Sequence, residues 1–330
     1  MNNFLRLLTI LLVGQVALVL IMTLKQDRLA TFQPHEPLLG VGVDQADEIL
    51  LSTVDDGKSS ELHLLKKDGR WVLPAISDYP VADDKIASLA SELLSVSKPW
   101  PVGTTKISEK QFKTSDKDYE RKIELKADGK SLGGIYLGTS PSFKKVHVRP
   151  FGEDMTYVID YSSYQITSKP ADWINKDLLV VDELDVAKLK FKDWTIENSD
   201  DGLVVHGLAE NEETNKSQVQ SLVSKLARLQ VTDVYGTEEK PEFKMSEPIL
   251  NFSITTKGNE TIDYVVAGPY EVSYVLKTSK YPYYFKYPKA IFEPLLEINR
   301  EKLVQSKKAE GGSDKTTNQE GASADQKETK

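Results

Sequence analysis

Four histidines, His35, His63, His147 and His206, are the residues to test first for metal binding or proton transfer. The last three each stand singly in an alternating apolar pattern, with no second ligand type two or four residues away. Zinc and general-base chemistry need convergent groups, so these histidines read as strand residues. No cysteine occurs in 330 residues, which removes thiol nucleophiles and zinc–thiolate sites. The Gly-x-Ser-x-Gly elbow of a seryl hydrolase is missing as well. Gly138-Thr139-Ser140-Pro141-Ser142 follows a strand pattern, but it lacks the Gly-Lys-Ser/Thr ending and the following helix of a phosphate cradle, and reads as a turn. Asp55-Asp56-Gly57, Asp83-Asp84 and Asp200-Asp201-Gly202 fall at turns or helix starts, where Asp serves the backbone, and none continues into calcium-loop spacing. Asn215-Lys216-Ser217, Asn251-Phe252-Ser253 and Asn259-Glu260-Thr261 match the glycosylation triplet by accident of position, one at a helix cap and one in a strand. The sequence thus predicts no catalytic residue, no metal, no cofactor and no enzyme activity.

One run stands above background. Tyr281-Pro282-Tyr283-Tyr284-Phe285-Lys286-Tyr287-Pro288 places Tyr281, Tyr283, Tyr284, Phe285 and Tyr287 close enough to line a groove for a peptide or a glycan ring. Read as a strand, the same run turns only half of those rings outward.

The elements that must position these residues begin at the N-terminus. Leu7 to Leu24 is uncharged, and with Phe4 and Leu5 it reaches the ~20 residues that span a hydrocarbon core of about 30 Å. No small-x-small cleavage site follows, so an uncleaved transmembrane helix is expected over residues 7–24. Lys/Arg counts on its two sides nearly tie. The layout of a signal-anchor puts residues 1–6 in the cytoplasm and the body outside, in a single pass. Beyond residue 28 the chain carries 39 Lys/Arg against 49 acids, net −10, a field that repels phosphate backbones and argues against nucleic acid.

Residues 25–43 read as a stalk, 44–172 and 185–305 as two lobes with a hinge at 173–184, and 306–330 as a disordered tail of small and charged residues. The lobes form an internal repeat. At an offset of 133, Asp68-Gly69 falls on Asp201-Gly202, and Gly103-Thr104 on Gly236-Thr237. Between these pairs Ile86, Leu89, Leu93 and Val96 fall on Val219, Leu222, Leu226 and Leu229. The 3-4-3 spacing predicts amphipathic helices over 84–96 and 217–229, capped by Asp84 and Ser217. Alternating segments with Asp-Gly turns surround each helix, and short helices close the lobes at 162–168 and 289–296. The fold class expected is α+β: a transmembrane helix, then two repeated lobes of antiparallel strands, each with an amphipathic helix.

Three segments carry a family likeness: Gly69-Arg70-Trp71-Val72-Leu73-Pro74, the helix from Ile86 to Val96, and Trp173-Ile174-Asn175-Lys176-Asp177-Leu178-Leu179. From the anchor to about residue 305 the chain resembles a family of bacterial single-span envelope proteins known only as a domain of unknown function. The resemblance implies repeated lobes, no catalytic residues, and an accessory role beside gliding-motility-type ABC transporters, whose genes often neighbour the family's. The leading expectation is a non-enzymatic, membrane-anchored envelope protein with a membrane-protein partner, an ABC permease, and bilayer contact through residues 7–24. The alternative is an extracytoplasmic module for a cell-wall or lipid-linked glycan.

Overall fold

The computed structural model describes residues 11–16, 36–200 and 202–307. Glu48–Asp55 (β1), Lys58–Lys67 (β2), Arg70–Leu73 (β3) and Tyr79–Pro80 (β4) form an antiparallel meander. The chain then leaves the sheet through helices Asp83–Ser88 (α1) and Lys106–Gln111 (α2). It returns as Arg121–Ala127 (β5), Lys130–Leu137 (β6), Lys145–Pro150 (β7) and Tyr157–Asp160 (β8). Because β5 pairs with β1, two meanders stand back to back in the order β4-β3-β2-β1-β5-β6-β7-β8. At the hairpins Asp56-Gly57, Asp68-Gly69 and Asp128-Gly129 each Asp has φ 50° and each glycine φ 72–79°. These double left-handed turns match the strand twist, and few residues other than Asn, Asp and Gly adopt them cheaply.

The second half repeats this plan. Val186–Phe191 (β9), Thr195–Ser199 (β10) and Gly202–Val205 (β11) form the first meander. Glu212–Thr214 (β12), Lys216–Ala227 (α3) and Asp233–Gly236 (β13) make up the excursion. Leu250–Thr256 (β14), Thr261–Tyr270 (β15), Ser273–Thr278 (β16) and Tyr284–Pro288 (β17) return, with order β11-β10-β9-β14-β15-β16-β17-β13. Lys289–Leu296 (α4), Arg300–Leu303 (α5) and Val304–Ser306 (β18) end the described chain, β18 pairing with β12. Gly103 bridges Thr156 beside β8, and Gly236 pairs with Tyr284 of β17. Residues 133 apart in sequence therefore close the same outer edge of each sheet.

The structure corrects the expected fold class. The described residues are mostly antiparallel sheet with few and short helices, and among them no helix is long and apolar enough to cross a membrane. Of the run 7–24 only residues 11–16 are described, as a helical segment; the rest of the expected transmembrane helix, like residues 1–6, His35 and residues 308–330 of the tail, lies outside the described residues.

The helix expected over 84–96 is one short α-turn, α1, running into a π-helical turn, Leu89–Leu94. Ser91 Oγ donates to Ala87 O (2.8 Å), and both the amide and the hydroxyl of Ser95 donate to Ala90 O. Such serine back-bonding competes with the regular ladder. The wider turn buries Leu89, Leu93 and also Leu94, while Val96 is only half-buried. Asp84 does not cap this helix: the cap position is Ala82, without a side-chain bond. In the other lobe Asn215, not Ser217, is the cap, its side chain accepting from Gln218 N. There all four stripe residues are buried, with Val223 and Ala227 beside them. The helix expected at 162–168 is a 3-10 turn, Ser163–Gln165.

Residues 36–43, assigned to a stalk, are part of the body: Leu38, Leu39 and Val43 are buried, and Pro37 bridges Ser97. The segment read as a hinge is bonded on both sides. Ala82 N donates to Trp173 O (2.9 Å) and Asn175 N to Pro80 O (2.9 Å) in lobe one. Val231 N donates to Lys176 O (2.7 Å), and Val181 N to Ala227 O (2.8 Å), in lobe two. One hydrophobic core runs through both lobes, from Leu38 to Leu303.

Leu89 and Leu222 are each 2% exposed, so Leu89→Asp or Leu222→Asp should cost roughly 3 kcal/mol or more in urea unfolding, because each buries an unpaired charge. Ser221→Asp, on the exposed side of α3, should leave the midpoint unchanged. A second expectation concerns β18. Arg300 grips both carboxylate oxygens of Glu212 (2.6 and 3.1 Å), and the Ala209 amide adds a bond (3.0 Å). Those contacts, Arg300 first, hold the Glu212 carboxyl down to about 2. A depressed folded-state value means the stabilisation is complete above the ordinary glutamate range, about 4.3, and fades as pH falls toward 2. The protection of the Thr214–Val304 amides, measured against their intrinsic exchange rates, should therefore fall on acidification through that window, and Arg300→Gln should abolish that loss.

Candidate functional site

Where the lobes meet, a cleft of about 860 Å³ is lined from three directions. Lobe one supplies Lys67, Arg70, Trp71 and Asp78, the connecting segment Asn175 and Leu178, and lobe two Tyr281 and Tyr283. Local sequence explains the arrangement. Pro74 opens a 3-10 turn, Pro74–Ile76, after which Ser77 and Asp78 take successive left-handed conformations (φ 60° and 58°). That costly double reversal turns the chain back as the edge strand β4, where Tyr79 stands opposite Leu73 and its side chain reaches sheet two. There its ring lies 4.7 Å from that of Tyr283, tilted by 58°. Tyr283 donates its hydroxyl to Asp78 O (3.2 Å), and Tyr79 donates its own to Asn175 O (3.0 Å). Burial, followed by the neighbouring tyrosines, pushes the Tyr79 phenol far above its ordinary value, so it stays a neutral donor. Lys67 pairs with Asp78 (2.7 Å), and the Lys66 ammonium lies over the Trp71 ring (5.8 Å).

Of the five aromatic residues singled out in the sequence, the cleft receives two. Tyr281 is half-buried at its rim and Tyr283 forms its floor. Phe285 and Tyr287 point the same way along the strand but are fully buried in the core, Tyr287 edge-on to Phe292 at 5.2 Å. Tyr284 points to the other face, where simple alternation expects solvent, and is also buried. A second small core forms there from Phe243, Val275 and Tyr284, covered by the 3-10 turn Pro241–Phe243 with Tyr235 and Tyr270. Tyr284 donates to Glu239 (2.8 Å), and the Lys277 ammonium sits over its ring (5.4 Å). Burial lowers the Lys277 value.

Sheet one has the same device, and sequence reasoning missed it. Arg149 on β7 is 2% exposed. Its Nε donates to Thr114 O (2.6 Å), one terminal nitrogen donates to Glu153 O (2.7 Å), and the other bonds Asp116. Glu109, also buried, lies 3.8 Å away, and the Tyr136 ring stacks under the guanidinium at 4.8 Å. Arg149 holds the Asp116 carboxyl below its ordinary range; burial, then Asp116, pushes the Tyr136 phenol up to about 12. His147, two residues earlier on the same face, stacks on Phe112 (4.1 Å) and bonds Thr139 O (2.6 Å). These groups converge, but the guanidinium nitrogens are spent on bonds within the protein, and the cluster clamps residues 106–119 over the sheet. The signal was present but weak: Arg149 shares one strand face with His147, and a charged side chain that ends up buried needs a partner. Gly138, tested above as part of a phosphate loop, completes the clamp, since an added Cβ would sit 1.9 Å from Phe112 O. His63 pairs with Glu48 (2.7 Å), and His206 is exposed. Among the described residues no group of three or more His, Asp or Glu is placed to hold a metal.

Two covered antiparallel sheets meeting at an aromatic junction define a two-lobed scaffold with a cleft between its halves. The chain belongs to the family described as Domain of unknown function (DUF4340), whose model matches residues 71–248, more than half of its length. The match opens on Trp71 of the cleft wall, runs through the connecting segment, and ends just before β14. No curated protein and no solved structure matches the chain.

The Tyr79–Tyr283 contact should couple the lobes. In a double-mutant cycle with Tyr79→Ala and Tyr283→Ala, urea unfolding should give a coupling energy of about 0.5–1.5 kcal/mol. An additive cycle would mean that the ring pair does not join the lobes energetically.

Proposed function

We propose that this chain is a non-enzymatic component of the bacterial cell envelope, held at a bilayer through the apolar run 7–24, that works by gripping a membrane-embedded protein partner. The observation that carries this reading is the junction cleft, walled by both lobes and by the segment that joins them. Its charged groups of both signs, Lys67, Arg70, Asp78 and Asp83, flank aromatic surface from Trp71, Tyr281 and Tyr283. Aromatic anchors with a charged rim are the composition of protein-recognition sites. The tether adds to this, since a body confined beside a membrane meets membrane proteins at high effective concentration, and a modest interface then suffices. An ABC-type export permease is the partner class suggested by the family resemblance. The glycan reading has less to stand on: of the aromatic strand, Tyr284, Phe285 and Tyr287 are withdrawn into the cores, leaving Tyr281 and the edge of Tyr283.

A photo-crosslinking amino acid placed at Arg70 or Tyr281 of the full chain, in native membranes, should capture a permease of the ABC class. The same group at Lys58, exposed at a hairpin far along β2 from the cleft, should not. Equal capture from Lys58 would remove the cleft from the interface, and capture of glycan without protein would favour the binding-module alternative.

A further inference from the structure

A second cavity, of about 380 Å³, opens on lobe one and shares no lining residue with the junction cleft. Helix α1 forms one wall, the turn after β8 another, and the connecting segment the third, with Leu89 and Trp173 as buried apolar surface among them. The walls are fixed to one another. Trp173 donates its indole Nε1 to Thr167 O (2.8 Å) and accepts the Ala82 amide on its own carbonyl (2.9 Å). Lobe two is built differently at the corresponding place. After β17, the counterpart of β8, helix α4 buries Phe292 and Leu295. After β8 the chain makes only the 3-10 turn Ser163–Gln165, and the cavity lies beside it.

Polar groups line this cavity without partners in the protein. Tyr161 is 5% exposed, yet its hydroxyl makes no hydrogen bond among the described residues. Burial, then Glu92, raises its phenol value, so it stays a neutral donor. A buried hydroxyl is normally bonded, and a ligand group in the cavity would complete it. The carboxylates of Asp84 and Asp172, the ammonium groups of Lys85 and Lys176, and the Gln165 amide are likewise unpaired among the described residues. These groups narrow the ligand. An anion would face both carboxylates, and a cation both ammonium groups. An apolar molecule would strip water from all of them without replacing its bonds. A zwitterion needs acid and base segregated, whereas α1 carries one of each, and so does the connecting segment. A sugar ring is neutral, and its hydroxyls donate and accept around the whole rim, so it can bond to all three walls at once. The Tyr164 ring, 83% exposed, offers an aromatic face to the C–H surface of such a ring. The volume lies at the small end of the range for ligand sites, which suits a single sugar unit.

We infer that this cavity binds one unit of a neutral saccharide, with the Tyr161 hydroxyl, the Gln165 amide and the Asp172 carboxylate bonding to its hydroxyl groups. The site is separate from the aromatic strand of lobe two and does not depend on attachment to a membrane. The test is saturation-transfer NMR on the full chain, kept in a detergent without a sugar headgroup. The probes are glucose, N-acetylglucosamine, cellotriose and chitotriose, with diglycine and inorganic phosphate as controls. At least one saccharide should receive saturation. Tyr161→Phe should weaken its binding about three- to tenfold, the share of one hydrogen bond. Gln165→Ala with Asp172→Ala, both at exposed positions, should abolish it, and neither variant should move the urea midpoint. Tighter binding of a trimer than of its monomer supports the site as one for the end of a glycan chain, and equal binding supports it as one for a free sugar. Transfer to no saccharide overturns the inference, as does transfer to diglycine or phosphate alone. Binding unchanged in either variant places the sugar elsewhere and overturns it too.

Discussion

The pairing of β1 with β5, and of β9 with β14, is the contact on which everything else depends. Ile49 faces Leu125 and Leu51 faces Ile123, all four without exposed surface, although some 70 residues of chain separate the partners. In the second sheet Ile254 faces Leu189 across the equivalent pair. Each pairing closes a long excursion, and closing it is entropically costly before any contact rewards it. The return is that the excursion lies over the sheet it leaves. The apolar helix turn occupies one face and a cover segment the other. Without the central pair, Arg149 and Tyr284 would lose the walls that make their burial tolerable.

Much of this was legible because it is written in local patterns. Asp-Gly pairs marked hairpins, alternation marked strands, and the offset of 133 located Gly103 and Gly236 at corresponding edges. The stripe Val219, Leu222, Leu226 and Leu229 is buried as its spacing implies. In the other lobe the same spacing suggested a regular helix, and Ser91 and Ser95 made it a π turn by bonding to the backbone. Both caps lie two positions before the residues expected, at Ala82 and Asn215; in the second the Asn215 side chain reaches the Gln218 amide.

What was illegible is non-local. Alternation assigns one face of a strand to water unless something covers it, and nothing near residue 284 or residue 149 in sequence says that residues 241–243 or 106–119 will. The aromatic run looked like a platform because its cover is encoded some forty positions away. The lobe junction was hidden for the same reason: Tyr79 and Tyr283 lie at nearly opposite ends of the folded body's sequence. The segment between the lobes carried a moderately specific motif but gave no hint that its amides and carbonyls are shared between both neighbours.

The edges of the two sheets carry a further consequence. The four edge strands β4, β8, β11 and β13 have two, four, four and four residues, against eight to ten in β1, β2, β6 and β15. The shortest contains Pro80 and is overlaid by Asn175, whose amide takes the Pro80 carbonyl; the edge at β13 is bulged. An open row of amides and carbonyls templates the addition of a foreign strand, and a chain with two eight-stranded sheets would otherwise offer four such rows. Trimming and capping them lets many copies crowd side by side without polymerising. The connecting segment that joins the lobes thereby also acts as a guard against self-association.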